Sequence, residues 1–286
     1  MKLIKQSFQF VNQKGFTLKD IYKHIEYCAR ISYKSQDKIT DTSYEKFVNM
    51  LESRGHDRPL EFGTVHLEID MCPRDIIIDT LINQGMLNQL WWKETYKNGK
   101  VYVTTNYRYY LAIKKVYPDI NKYFTEEDNK YYPKRYTVHM ILDRGVMDEF
   151  RTHVGLSHLA ESTRYCNYSK DKFNNELTFI DPCWEIKTAN ERITPEGTHM
   201  SSDSLEFLIA LNEAEDHYLS LLAKGWTPQQ ARSVLPLGIK SELISCGFEN
   251  AWENFFKRRD APDAHPMAQE IAKPMHQKFI ELTKMG

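Results

Sequence analysis

Thr64-Val65-His66-Leu67-Glu68-Ile69 alternates apolar and polar side chains, the two-residue period of a strand with one buried face. Tyr136–Leu142 reads as a second strand, Leu177–Ile180 as a short one and Ile239–Cys246 as a fourth. Between them the period changes to that of helices. Ile21, Ile25 and Cys28 mark one face over residues 17–34, and Phe47, Val48 and Leu51 mark one over 42–54. Leu208, Leu211, Ala214, Tyr218 and Leu221 mark a longer one. Strands and helices interleave with no internal repeat, which predicts an α+β fold in a single domain, 1–286.

Local punctuation sharpens these limits. Thr42-Ser43-Tyr44-Glu45 has the spacing of a capping box, and Gly55 suits the end of the helix it would start. Thr227-Pro228-Gln229-Gln230 offers an N-cap, a proline in the first helical position and a glutamine in the third, and Pro236 stops that helix early. Glu249–Lys257 and Met267–Thr283 are expected to be helical and 186–202 a loop. Residues 72–134 show no catalytic pattern and read as an insertion, with a helix over Asp75–Leu90.

A net charge of −1 gives the chain no overall field to draw in nucleic acid or an anionic membrane. No segment approaches the roughly 20 apolar residues of a membrane span. Five cysteines without a CxxC pair argue against a disulfide framework or a zinc site, and a soluble cytoplasmic protein with reduced thiols is expected. GxGxxG, GxxxxGK[ST], HExxH and GxSxG are all absent. An anionic substrate therefore needs a local cluster of arginines. Arg30, Arg151 with Arg164, Arg232, and Arg258 with Arg259 are the candidates, and Ser162 and Thr163 beside Arg164 add the hydroxyls that complete a phosphate site.

Several ordered motifs carry a resemblance. Ser157, Ser162 and Arg164 fit the close of R-H-R-x-x-S-x-N-E-x-S-x-R, the signature of the flavin-dependent thymidylate synthases (ThyX). Trp226 to Pro236 is similar to that family's W-x-P-x-x-A-R-x-V-L-P stretch. Asn254 to Arg259 with Ala264-His265, Ala29 to Ser32, and Gly55 to Glu61 resemble its remaining motifs. The resemblance implies an antiparallel sheet flanked by helices and a homotetramer whose sites are shared between subunits. It also implies reductive methylation of dUMP to dTMP, with methylenetetrahydrofolate as one-carbon donor, FAD as cofactor and NADPH as reductant. Glu161, Ser162, Thr163, Arg164 and Arg232 would hold dUMP, and Arg259 would sit against the uracil as the catalytic charge. Ser32, His56, Arg58, Glu61, His153 and Asn254 would face FAD.

The match departs on the flavin side. The R-H-R positions fall on Thr152, His153 and Val154, the N-E positions on Leu159 and Ala160, and two further family positions on Phe62 and Phe248. A divergent dUMP-binding relative with altered or lost flavin chemistry is the alternative. Pro182-Cys183-Trp184 resembles only superficially the Pro-Cys-His nucleophile of the cysteine-dependent thymidylate synthases.

Overall fold

The computed structural model describes residues 1–164, 166–170, 175–184 and 202–284. Two four-stranded sheets organise it. In the first, β2 (Ser7–Phe10), β7 (Arg135–Asp143), β10 (Lys240–Phe248) and β8 (Ser157–Ala160) lie in that order, every pair antiparallel. Its strands come from both ends of the chain, so the fold closes only when distant segments meet.

One face of this sheet carries Tyr136, Val138, Met140, Leu142 and Leu243. They pack on Trp252, Phe255 and Phe256 of α8 (Glu249–Arg259) and on Ile271, Met275 and Phe279 of α9 (Pro266–Lys284). Each fully buried side chain of this size contributes roughly 1.5–3 kcal/mol. The opposite face of β10, through Ile244 and Cys246, meets Cys28 and Ile31 of α1 (Leu18–Tyr33). Thr17 caps α1, accepting from the Asp20 backbone N–H at 3.1 Å, and Lys34 ends it in the left-handed region at φ 49°.

The second sheet has the order β4 (Trp92–Lys97), β5 (Lys100–Asn106), β3 (Thr64–Asp70), β6 (Phe124–Thr125), again antiparallel. Together with α3 (Met71–Asn83) and α4 (Tyr107–Val116) it makes its own apolar cluster against α1 and α2 (Ser43–Ser53). Residues 72–134 thus build around β3, which precedes them, and share its core. β1 (Lys2–Ile4) pairs in parallel with β9 (Thr178–Ile180), beside α6 (Ser202–Ala223).

Three local expectations shift. Thr42 does not cap α2; at φ −125° and ψ 0° it makes no side-chain capping bond, and Ser43 Oγ accepts from the Thr40 N–H. α3 starts at Met71 and ends at Asn83, because Gly85 adopts φ +62° and the apolar residues beyond it leave the helix. The loop expected over 186–202 lies outside the described residues, except at its last position, where α6 begins. Among the described residues no helix is long and apolar enough to cross a membrane.

Candidate active site

Where the apolar packing between α1 and β10 ends, the chain opens a cavity of about 270 Å³. Ser32 and Tyr33 reach it from the last turn of α1, and Arg58 from the 3-10 turn Arg58–Phe62. Arg144 and Arg151 flank it from the start and just past the end of α5 (Arg144–Phe150). His158, Leu159 and Ala160 come from β8, Glu161, Ser162 and Thr163 from the chain beyond it. Arg232 opens the 3-10 turn after α7 (Pro228–Ala231). The backbone fixes this convergence. Past the last β8 pairing the Glu161 N–H still donates to the Glu242 carbonyl at 2.7 Å. The Ser162 N–H then donates to the Ser32 carbonyl at 3.2 Å, bending the segment onto α1. Gln230 Oε1 accepts from the Thr227 N–H at 2.9 Å, which starts the short helix that presents Arg232.

Among the described residues, four guanidinium groups therefore line the cavity against one carboxylate, Glu161. Their own partners are weak. Arg144 and Arg151 share the exposed Asp148 at 3.5 and 3.4 Å, and Arg232 Nη1 lies 3.4 Å from Thr163 Oγ1. Exposed pairs of this kind contribute about 0–1 kcal/mol, so an entering anion can recruit these groups at little cost.

Glu161 is different, for it is already neutralised from below. Lys240 Nζ donates to Glu161 Oε2 at 2.8 Å and to Glu242 Oε1 at 2.6 Å. Lys34 pairs with the same Glu242, and His139 Nε2 lies 3.0 Å from its second oxygen. The Tyr168 hydroxyl donates to Glu161 Oε1 at 3.1 Å. Burial disfavours the Glu242 carboxylate, but the His139 hydrogen bond and the Lys240 and Lys34 charges outweigh it and hold its pKa well below the usual range. Burial likewise opposes the Lys240 charge, and Glu161 and Glu242 overcome it, raising that pKa.

The two nearby histidines are neutral. His158 bonds Ser245 Oγ through Nδ1 at 2.8 Å and the His153 carbonyl through Nε2 at 3.3 Å, and burial lowers it to about 4. His153 Nε2 accepts from Arg259 Nε at 2.8 Å, and burial followed by the Arg259 charge lowers it to about 4 as well. Neither can add positive charge to the cavity at neutral pH.

The residues proposed from sequence divide into groups. Ser32, Arg58, Glu161, Ser162, Thr163 and Arg232 share the cavity. Arg164 is exposed beside it, its Nε donating to Gln229 Oε1 at 3.0 Å. Glu61 is buried and committed to Ser157 Oγ and Arg108 Nη1, both at 2.6 Å. Arg259 is held by the Glu149 carboxylate at 2.7 Å, by the Glu149 carbonyl at 2.9 Å and by His153, which ties α8 to the end of α5 rather than to the cavity. His56 and Asn254 lie exposed outside it. Sequence reading missed Lys240, Glu242 and Arg144. The visible signal was Lys240-Ser241-Glu242, two charges on one face at the head of the apolar strand Leu243-Ile244-Ser245-Cys246. Among the described residues no group of three or more His, Cys, Asp or Glu side chains could hold a metal ion.

Curated proteins return no match to the chain. Among solved structures it is similar to a UMP/dUMP methylase PolB from Streptomyces cacaoi. With 5-Br dUMP bound the identity is 15% over 99% of this chain and 93% of the other, at a TM-score of 0.43. With 5-Br UMP bound it is 16% over 99% and 92%, at 0.44. The family model described as thymidylate synthase complementing protein matches residues 134–283, the stretch that supplies β7, α5, β8, Glu161, Arg232 and β10. The chain belongs to the thymidylate synthase complementing protein family.

Proposed function

We propose that the chain binds the pyrimidine nucleotide dUMP in the arginine-lined cavity and methylates it at C5, as a thymidylate synthase. The observation that carries this reading is the charge arrangement. Four guanidinium groups with weak partners stand beside the Ser162 and Thr163 hydroxyls, and the only carboxylate lining the cavity among the described residues is matched by Lys240. Such a cavity favours a phosphate dianion, which guanidinium forks bind through paired charge-assisted hydrogen bonds. Tyr33 and Leu159 on its wall give a base an apolar and aromatic surface. The whole chain, 1–286, would act as one cytoplasmic domain within a homotetramer.

The family resemblance adds FAD as hydride source, methylenetetrahydrofolate and NADPH. Among the described residues, Ser32 and Arg58 of the positions assigned to FAD face the cavity, and the others do not. Val154, where the resemblance expects an arginine, is apolar and 80% exposed. His153 and Glu61 are spent on Arg259, Ser157 and Arg108, and Asn254 lies exposed on α8. Flavin chemistry would require residues of neighbouring subunits, and the same observation favours a second reading, a dUMP-binding relative with altered or lost flavin chemistry.

The purified protein is expected to bind dUMP by calorimetry and, with reduced FAD and methylenetetrahydrofolate, to release tritium from [5-³H]dUMP. dUMP binding without tritium release selects the second reading, and absence of dUMP binding removes both. Cys183→Ala is expected to leave tritium release within twofold of the parent. The Cys183 backbone N–H bonds Met267 Sδ at 3.1 Å, outside the cavity, and burial pushes its thiol up, away from the thiolate a nucleophile needs. A loss of more than tenfold would restore the cysteine mechanism.

A further inference from the structure

A carboxylate in a cavity walled by guanidinium groups has an obvious alternative to binding a ligand, which is to pair with one of them. Glu161 does not. Its side chain is fully buried at the cavity floor, its Oε2 held at 2.8 Å by Lys240 and its Oε1 at 3.1 Å by Tyr168. Lys240 is anchored in turn by Glu242, which Lys34 and His139 grip from the other side. The anchor is built into the sheet. Lys240 and Glu242 stand on one face of β10, and the backbone bond from Glu161 to Glu242 sets the two carboxylates side by side, so one ammonium group spans both. A buried charge cluster of this kind persists only where its members satisfy one another.

We propose that Lys240 is a positioning residue for the nucleotide, clamping Glu161 to the floor of the cavity. This rests on the reading of the cavity as a nucleotide site. The clamp does two things. It keeps Glu161 from collapsing onto Arg58, Arg144, Arg151 or Arg232, so those groups stay open to phosphate. It also holds the carboxylate as an acceptor for an O–H or N–H of the nucleoside. Without Lys240, Glu242 would keep Lys34 and His139, but Glu161 would keep only the neutral Tyr168 hydroxyl and would turn to the arginines as an internal competitor of phosphate.

The test uses calorimetric titration of the intact protein with inorganic phosphate and with dUMP, alongside thermal melting. Lys240→Met is expected to weaken phosphate binding at least tenfold, and adding Glu161→Gln to it to bring phosphate affinity back within threefold of the parent. Lys240→Arg should keep both affinities within threefold. A purely structural lysine predicts the opposite pattern, in which the melting temperature falls and the second substitution restores no phosphate binding. That result, or unchanged phosphate affinity in Lys240→Met, overturns the proposal. Glu161→Gln alone, which keeps the Lys240–Glu242 pair, decides the matter if Lys240→Met does not fold. It is expected to weaken dUMP about tenfold and phosphate less than threefold, and equal effects on the two ligands overturn the proposal. Parent protein that binds neither ligand refutes the nucleotide reading itself, a different outcome from failure of the clamp.

Discussion

Replacing Arg144 and Arg232 together by alanine is expected to weaken dUMP binding by roughly two to four orders of magnitude. Each hydrogen bond to a charged group contributes about 1.5–3 kcal/mol, so two guanidinium groups on one phosphate contribute about 3–6 kcal/mol, and each 1.4 kcal/mol is about tenfold in affinity. The two arginines approach from different elements, the first residue of α5 and the turn after α7, so neither replaces the other. Little else should change. The backbone N–H of Arg144 donates to the Leu237 and Ile239 carbonyls at 2.9 and 3.1 Å, and truncating the side chain leaves both bonds in place. Arg232 is exposed, and a surface truncation of that sort stays within about 0.5 kcal/mol of stability. Calorimetric titration with dUMP at two salt concentrations checks the expectation, since the parent should lose affinity with added salt faster than the variant. A weakening of less than fivefold in the double variant would mean that phosphate binds elsewhere.

What could be read from sequence depended on whether neighbours along the chain or across the fold set the structure. α1, α9 and the strands β3, β7 and β10 follow their own periodicity, and their positions agree with it to within a few residues. Thr227 and Pro236 bound a helix and turn that end as their residues require. The hairpin β4–β5 is equally legible in the sequence. Lys97-Asn98-Gly99-Lys100 has the Asn-Gly pair of a two-residue turn, and both residues adopt positive φ, 52° and 78°. Arg144, Lys240 and Glu242 were not legible in that way, because their meaning arises only when β10 pairs with β7 and β8 and brings Glu161 against Glu242. Arg259 shows the converse. Its motif reads as a ligand contact, yet Glu149, an ordinary surface acid in sequence, takes up its guanidinium.

The stability of the first sheet should depend on Glu242 in a pH-dependent way. Glu242→Gln keeps the shape of the side chain and removes the charge that balances Lys240 and Lys34 against Glu161. Breaking a buried ion pair from one side costs about 3–5 kcal/mol, since it strands the opposite charge, and that is a large share of the roughly 5–15 kcal/mol by which a domain is stable. The sign with pH follows from the direction of the shift. The folded pKa of Glu242 lies below its unfolded value of about 4.3, so its contribution is complete above that pH and is lost as pH falls towards the folded pKa. Lys240 has the opposite sense, its folded pKa raised, with its contribution complete below about 10.4 and lost as pH rises. Both contributions are therefore full near neutrality, and the gap between parent and variant should be widest there. In urea unfolding the gap is expected to be about 3–5 kcal/mol at pH 7.5 and to narrow measurably by pH 3.5, where the parent is losing what the variant never had. A gap of the same size at both values would show that Glu242 acts through packing rather than through its charge.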